Sequence, residues 1–146
     1  MRVRITKEFD FEAAHALDGY VGKCQDIHGH NYHLTLTFLG EPIRDKSLSN
    51  NGMVVDFGDI KDFLNKTIKP LFDHRLILRK DSRFLGLEQQ NERIRYVDYQ
   101  PTTENMLLEI VQIVSSSFEK KTNAVLCSAF LRETPSSYVE WHKEDQ

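Results

Sequence analysis

The chain has 146 residues, 40% of them hydrophobic and 28% charged, with a formal net charge of -3 and only two cysteines. This length and composition predict one globular domain, residues 1–146, with reduced thiols, and the charge gives no electrostatic reason to expect nucleic acid or an anionic membrane as partner. No apolar run approaches the roughly 20 residues of a membrane span and the N-terminus has no signal-peptide core, so we expect a cytoplasmic protein.

The N-terminal stretch alternates between apolar and polar residues in two segments. Between positions 3 and 13 the odd residues are mostly apolar, which is the period of a half-buried strand, and His15 continues that row. In the second segment the even positions begin with His28 and His30 and continue as apolar residues. The turn-rich passage 17–27 lies between the segments, so we expect an antiparallel pair of strands.

Histidines occupy the ends of the two apolar rows that this pairing brings together. His15 ends the first row, and His28 and His30 begin the second, so the three imidazoles are expected to converge. A single histidine on an apolar face is more often a satisfied core residue. Three neutral imidazoles with an open fourth position are the ligand set of a catalytic zinc site. His33 faces the other side of the strand and is left out of this set.

A helix is predicted over residues 57–71 from the 3.6-residue apolar period, with Asp56 as its N-cap and Pro70 closing it. Asp73 and His74 follow directly. Neighbouring Asp and His residues commonly form a local ion pair at a surface turn. They are also the parts of a proton-transferring dyad, in which the carboxylate fixes one tautomer of the imidazole.

The next segment, 79–100, is irregular and rich in charge, with 95–99 as a candidate short strand. A connection of this length is either functional or an elaboration of the fold. A second helix is predicted to start within 101–105, where a proline, hydroxyl residues and an acid occur in sequence. Simple capping accounts for Thr102 and Thr103 at this position.

The C-terminal part predicts two more strands, 124–134 and 138–142. The first is apolar on both faces, with Cys127 expected as inert core, and charge arrives abruptly at Arg132 and Glu133. Glu133 has two interpretations. It either forms a strand-end salt bridge with Arg132 or another base, or presents a carboxylate to a nitrogenous ring.

The resulting fold class is α+β, in the order ββααββ: a four-stranded antiparallel sheet with two helices on one face. Such a sheet leaves two edges and one uncovered face, which favours assembly into an oligomer.

Five separated motifs stand along nearly the whole chain: His15, Cys24-x3-His28-Gly-His30-x-Tyr32, Asp73-His74, Pro101-Thr-Thr-Glu-Asn105 and Arg132-Glu133-Thr134. Together they resemble the 6-pyruvoyl-tetrahydropterin synthase and 6-carboxy-tetrahydropterin synthase family. The resemblance implies the tunnelling fold (T-fold), in which sheets join edge to edge into an oligomeric barrel. It implies a homo-oligomer, a trimer-based hexamer, with active sites at subunit boundaries.

The resemblance also implies a ligand, a substrate and a catalytic thiol. Zinc would be held by His15, His28 and His30, and the substrate would be 7,8-dihydroneopterin triphosphate. Cys24 would be the general base, since a nearby cationic metal favours a thiolate. The alternative is that Cys24 is a fourth zinc ligand, which would close the site to substrate.

Further roles follow from the same resemblance. Asp73 and His74 would form a proton relay, and Glu133 would accept hydrogen bonds from the pterin ring. The remaining substrate contacts would come from the start of the second helix: Thr102, Thr103 and Glu104.

The spacing of the cysteine motif bears on the product. Three residues separate Cys24 from His28, which resembles the carboxy type of the queuosine route, in which acetaldehyde and triphosphate are lost. The alternatives are the pyruvoyl type, which eliminates triphosphate only, and a non-catalytic zinc or pterin-binding module. A third type carries glutamate in place of this cysteine, and the presence of Cys24 argues against it.

Overall fold

The computed structural model describes residues 1–87 and 92–146. Its strands and α-helices are β1 (Val3–His15), β2 (His28–Gly40), α1 (Phe57–Thr67), α2 (Lys69–Phe72), β3 (Arg75–Arg79), β4 (Ile94–Val97), α3 (Thr103–Ser117), β5 (Val125–Thr134) and β6 (Ser137–His142). Within the described residues they build a six-stranded sheet in the order β4-β3-β1-β2-β5-β6. None of the described helices has the length and apolar character needed to cross a membrane.

The long antiparallel pair β1 and β2 forms as the alternation predicts. Its register is continuous from Val3 opposite Gly40 to His15 opposite His28. The inward rows are buried toward the histidine end of β1 and from Tyr32 onward in β2, and they supply much of the core: Phe11, Tyr32, Leu34, Leu36 and Phe38. Period-two patterning therefore decides which face of the sheet carries the histidines.

The long helices α1 and α3 contribute their apolar stripes to the same core, notably Ile60, Leu64, Met106, Ile110 and Val114. Asp56 caps α1 as predicted, accepting a hydrogen bond from the Gly58 amide at 2.7 Å. The prediction for Pro70 was wrong, because α1 ends at Thr67 and Pro70 lies in the first turn of α2. Proline is tolerated there because its missing N–H would be unpaired in any case.

The prediction of four strands is corrected by two short parallel strands. Strand β3 pairs with the end of β1, where Arg75 is opposite Ala13, and β4 pairs with β3. Strand β4 occupies part of the predicted candidate strand 95–99. Within the irregular segment 79–100, residues 88–91 lie outside the described residues. Runs of five and four residues are too short to show a clear period in the sequence.

Strand β5 is buried on one face only within this chain. Leu126, Ala129 and Leu131 are buried, whereas Cys127 is only half-buried, so the expectation that it is core is corrected. The Cys127 thiol donates to the Thr37 carbonyl at 3.2 Å, beside a register shift between β2 and β5.

Candidate metal centre and adjoining cavity

Three histidines meet at one end of the β1 and β2 pair. The ligating nitrogens of His15, His28 and His30 all lie within 4.8 Å of one another. Their ring centroids are 4.5 Å apart for His15 and His28, 5.2 Å for His15 and His30, and 5.0 Å for His28 and His30. The predicted convergence is confirmed, and it follows directly from the strand register.

Backbone carbonyls fix the orientation of two of these rings. The Nδ1 atom of His15 is 2.7 Å from the Pro101 carbonyl oxygen, and that of His28 is 2.8 Å from the Asp26 carbonyl oxygen. A carbonyl can only accept, so Nδ1 donates and a neutral ring keeps its lone pair on Nε2. Metal-ligating histidines commonly have this kind of outer partner.

The cluster is suited to a cation that binds neutral nitrogen. Burial lowers the pKa of His15 and of His30 below the ordinary 6.5, and this effect outweighs the opposing influence of Glu133. Among the described residues, the Nε2 atoms of both rings are buried without a hydrogen-bond partner. A buried, unpaired polar atom is unfavourable, and a metal ion would satisfy it. The residues present therefore fit a zinc ion.

Glu133 stands beside the imidazoles. Its Oε1 atom lies 3.6 Å from the Nε2 atoms of both His15 and His30, and because those rings are neutral this approach is not an ion pair. The same oxygen accepts a hydrogen bond from the Thr103 hydroxyl at 2.7 Å and a longer one from the Tyr32 hydroxyl at 3.4 Å. Burial, and then Glu133, raise the pKa of Tyr32, which keeps this phenol a donor.

Arg132 and Thr102 flank the Glu133 and Thr103 pair in sequence and make other contacts. Arg132 donates to the Pro135 carbonyl at 2.9 Å, and its guanidinium lies over Phe130 and Tyr138. Thr102 caps α3, because its hydroxyl accepts from the Asn105 amide at 3.3 Å. Capping accounts for Thr102, whereas the Thr103 hydroxyl is committed to Glu133.

A cavity of about 420 Å³ adjoins the cluster. Its lining includes His15 and His28, together with the predicted site residues Cys24, Thr102, Thr103, Glu104 and Glu133. Among the described residues, the candidate ligand atoms that lie within 4.8 Å of one another belong to the three histidines, and the Cys24 sulfur is not among them. This geometry favours a free thiol facing the cavity over a fourth ligand.

Asp73 and His74 lie away from this cavity. They contact Glu12, which belongs to the polar row of β1 on the opposite face of the strand from His15. The Nδ1 atom of His74 is 3.1 Å from Asp73 Oδ1, and its Nε2 atom is 3.7 Å from Glu12 Oε2. His74 adopts a φ of 56°, a left-handed conformation that is uncommon for a residue with a Cβ. A hydrogen bond of 2.6 Å from its amide to the Glu12 carbonyl holds it there.

Sequence comparison identifies the family. A family model described as 6-pyruvoyl tetrahydropterin synthase matches residues 4–144. The chain belongs to this family. Its fold is accordingly the T-fold, here with the two additional parallel strands β3 and β4.

Several relatives of this family match over almost their full length. Proteins named 6-carboxy-5,6,7,8-tetrahydropterin synthase from Rickettsia typhi and Haemophilus influenzae are each 34% identical, over 94% and 96% of this chain and 99% of their own lengths. An uncharacterized protein from Wolinella succinogenes superimposes with a TM-score of 0.79 at 19% identity, covering 98% of this chain and 99% of that one. The 6-pyruvoyl tetrahydropterin synthase of Caenorhabditis elegans gives 0.68 at 23% identity, covering 97% and 96%.

Some residues lining the cavity were not expected from the family motifs. Tyr20, Gln100 and Tyr138 lie in its wall. The Oε1 atom of Gln100 is buried without a partner among the described residues, while its amide nitrogen donates to the Asp18 carbonyl at 2.8 Å. Gln100 directly precedes the motif Pro101-Thr-Thr-Glu-Asn105, and this is the one signal in the sequence that could have pointed to it. Tyr20 lies in a turn-rich loop that carries no periodic pattern.

Proposed function

We propose that this chain is a zinc-dependent tetrahydropterin synthase of the carboxy type. It converts 7,8-dihydroneopterin triphosphate to 6-carboxy-5,6,7,8-tetrahydropterin with loss of acetaldehyde and triphosphate, a step of the queuosine route. The observation that carries the proposal is that three histidines converge beside a cavity that also contains Cys24 and Glu133. The relatives of that name at 34% identity support the carboxy type.

The metal would be held by His15, His28 and His30 through their Nε2 atoms. Zinc supplies Lewis acidity, which makes bound hydroxyl groups and the adjacent C–H more acidic. The Pro101 and Asp26 carbonyls keep two rings in the tautomer that exposes Nε2. These contacts orient the two rings for metal binding in the free protein.

Cys24 is the general base in this proposal. It lies on the wall of the cavity and outside the ligand group, so its sulfur is available to take a proton from the substrate side chain. Cys24 is half-buried.

Glu133 and Thr103 would bind the pterin end of the substrate. One carboxylate oxygen has two lone pairs, so it can accept hydrogen bonds from a ring N–H and the adjacent amino group. The short bond from Thr103 restrains Glu133, and it leaves the second carboxylate oxygen for such contacts. Thr102 and Glu104 line the same cavity and would complete the contacts at this end.

Asp73 and His74 would serve as the proton relay of a site in a neighbouring subunit. Within one chain they lie on the face of β1 opposite His15, so in this proposal a second copy brings the relay to each cavity. Among the described residues, strand β3 pairs with β1 only from Ala13 to His15, which leaves most of that edge without a strand partner. Free strand edges favour edge-to-edge assembly, and we propose a trimer-based hexamer in the cytoplasm.

Product analysis tests the proposal. Zinc-loaded protein is incubated with 7,8-dihydroneopterin triphosphate, and the products are identified by mass. Release of acetaldehyde with a carboxy-pterin supports the carboxy type. A pyruvoyl product without acetaldehyde would overturn that choice in favour of the type that gives the family its description. Intact zinc without turnover would instead indicate a non-catalytic zinc or pterin-binding module.

A further inference from the structure

Arg83 follows β3 and contacts the loop between β1 and β2, residues 17–27. One guanidinium nitrogen of Arg83, Nη2, donates to the Gln25 carbonyl at 2.8 Å and to Asp26 Oδ1 at 2.7 Å. The backbone amide of Arg83 donates to Asp18 Oδ1 at 3.0 Å. Three hydrogen bonds therefore join one residue of this segment to both ends of the loop.

The acceptors of Arg83 are next to the proposed chemistry. Gln25 and Asp26 directly follow Cys24 in the chain, and the Asp26 carbonyl is the partner of the His28 ring at 2.8 Å. A hydrogen bond of 2.9 Å from the Leu17 amide to the Cys24 carbonyl closes the loop from within. Displacement of Asp26 would therefore move the thiol and a metal ligand together.

The residues on either side of Arg83 restrain it. Ser82 is 2% exposed, its amide donates to the Arg79 carbonyl at 2.9 Å, and its hydroxyl accepts from the Phe84 amide at 3.2 Å. The Arg83 guanidinium lies 4.7 Å from the centroid of the Phe84 ring. A planar group stacked in this way loses less freedom when it forms its hydrogen bonds.

We propose that Arg83 is a positioning residue for Cys24 and His28. It fixes the backbone of Gln25 and the carboxylate of Asp26, and through them the sulfur and the imidazole at the cavity. This assigns a function to part of the 79–100 segment, for which the sequence left two interpretations open. The roles of Cys24 and His28 rest on the proposed function, but the test measures hydrogen exchange, alkylation and zinc release and needs no turnover.

The test is Arg83→Ala in a Cys127→Ser background, so that alkylation reports Cys24 alone. We expect faster hydrogen exchange in residues 17–27, and a change of about 3- to 10-fold in both the alkylation rate of Cys24 and the rate at which a chelator removes zinc, because two hydrogen bonds are lost. Arg83→Lys retains the charge but cannot reproduce the planar fork, so it should give intermediate values.

The matched control is Lys80→Ala. It removes an ion pair of 2.6 Å to Asp98 from the same segment, away from the loop, and should behave like the unchanged protein. A second variant, Asp26→Asn, keeps the carbonyl that binds His28 and should reproduce part of the Arg83→Ala effect even if that variant folds poorly. The double variant should then show non-additivity.

Unchanged loop exchange, alkylation and chelation in Arg83→Ala would overturn the inference. Equal changes in Lys80→Ala would also overturn it, because they would reflect general loosening of the segment. Failure of the proposed function would look different: the unchanged protein would bind zinc and show no turnover, while these comparisons between variants would still give a result.

Discussion

Replacing Thr103 with valine is expected to weaken pterin binding more than it weakens the fold. Valine nearly matches the shape of threonine but removes the hydroxyl that donates to Glu133 at 2.7 Å. Thr103 is 6% exposed, so water cannot replace its hydroxyl from that side. Hydrogen bonds to charged groups contribute roughly 1.5–3 kcal/mol.

The expected magnitude lies just below that range. The Glu133 side chain is 25% exposed, so water can solvate the freed oxygen in part. We expect a loss of about 1.4 kcal/mol in pterin binding, which corresponds to an increase of roughly tenfold in the dissociation constant. The side chain of Glu133 would also be less restrained in the free protein.

The assay is a titration of each variant with a dihydropterin, followed by calorimetry, alongside unfolding in urea. The matched control is Thr67→Val, which removes a hydroxyl hydrogen bond of the same 2.7 Å length to the Phe63 carbonyl in α1, remote from the cavity. The control should lose some stability and bind pterin normally. Equal pterin affinity in the two valine variants would refute the role given to Thr103 and Glu133.

Three further predictions concern the thiol, the relay and the metal. Cys24→Ala should keep its zinc and lose at least about 100-fold in turnover, because a general base is removed; simultaneous loss of metal would mean that the sulfur is a ligand. Inactive Cys24→Ala and His74→Ala proteins, mixed and reassembled, should regain activity because each supplies what the other lacks, and a mixture as inactive as its components would exclude shared sites. Because the pKa values of His15 and His30 lie below 6.5, protons compete with zinc for these rings only at lower pH. Zinc should therefore be retained at pH 6.5 and released on further acidification. Release that begins well above pH 6.5 would contradict this.

The convergence of the histidines could be predicted because it depends on local pattern alone. Period-two alternation assigns His15 and His28 to one face, and a hairpin brings the end of one row to the start of the other. The N-cap of α1 at Asp56 could be predicted for a similar reason, since the signal and its partner are two residues apart. Both features need no knowledge of the rest of the fold.

Other features depend on contacts that the sequence pattern does not encode. Thr103 and Glu133 are thirty residues apart, and their hydrogen bond exists only because α3 packs against the end of β5. Strand β3 follows a helix and pairs in parallel through three residues of β1, which leaves no periodic signal. The sequence predicts a proton-transferring dyad of Asp73 and His74, yet within a single chain these residues lie away from the cavity.

Zinc content is the most direct measure of the central claim, that three converging imidazoles form a metal site. The protein is purified, exposed to zinc, and its metal is counted against chains for the unchanged sequence, His28→Ala and His33→Ala. His33 lies on the opposite face of β2, where it contacts Asp10, so it serves as the matched histidine. We expect one tightly held zinc per chain in the unchanged protein and in His33→Ala, and its loss in His28→Ala. Zinc retained by His28→Ala, or lost equally from His33→Ala, would contradict the account.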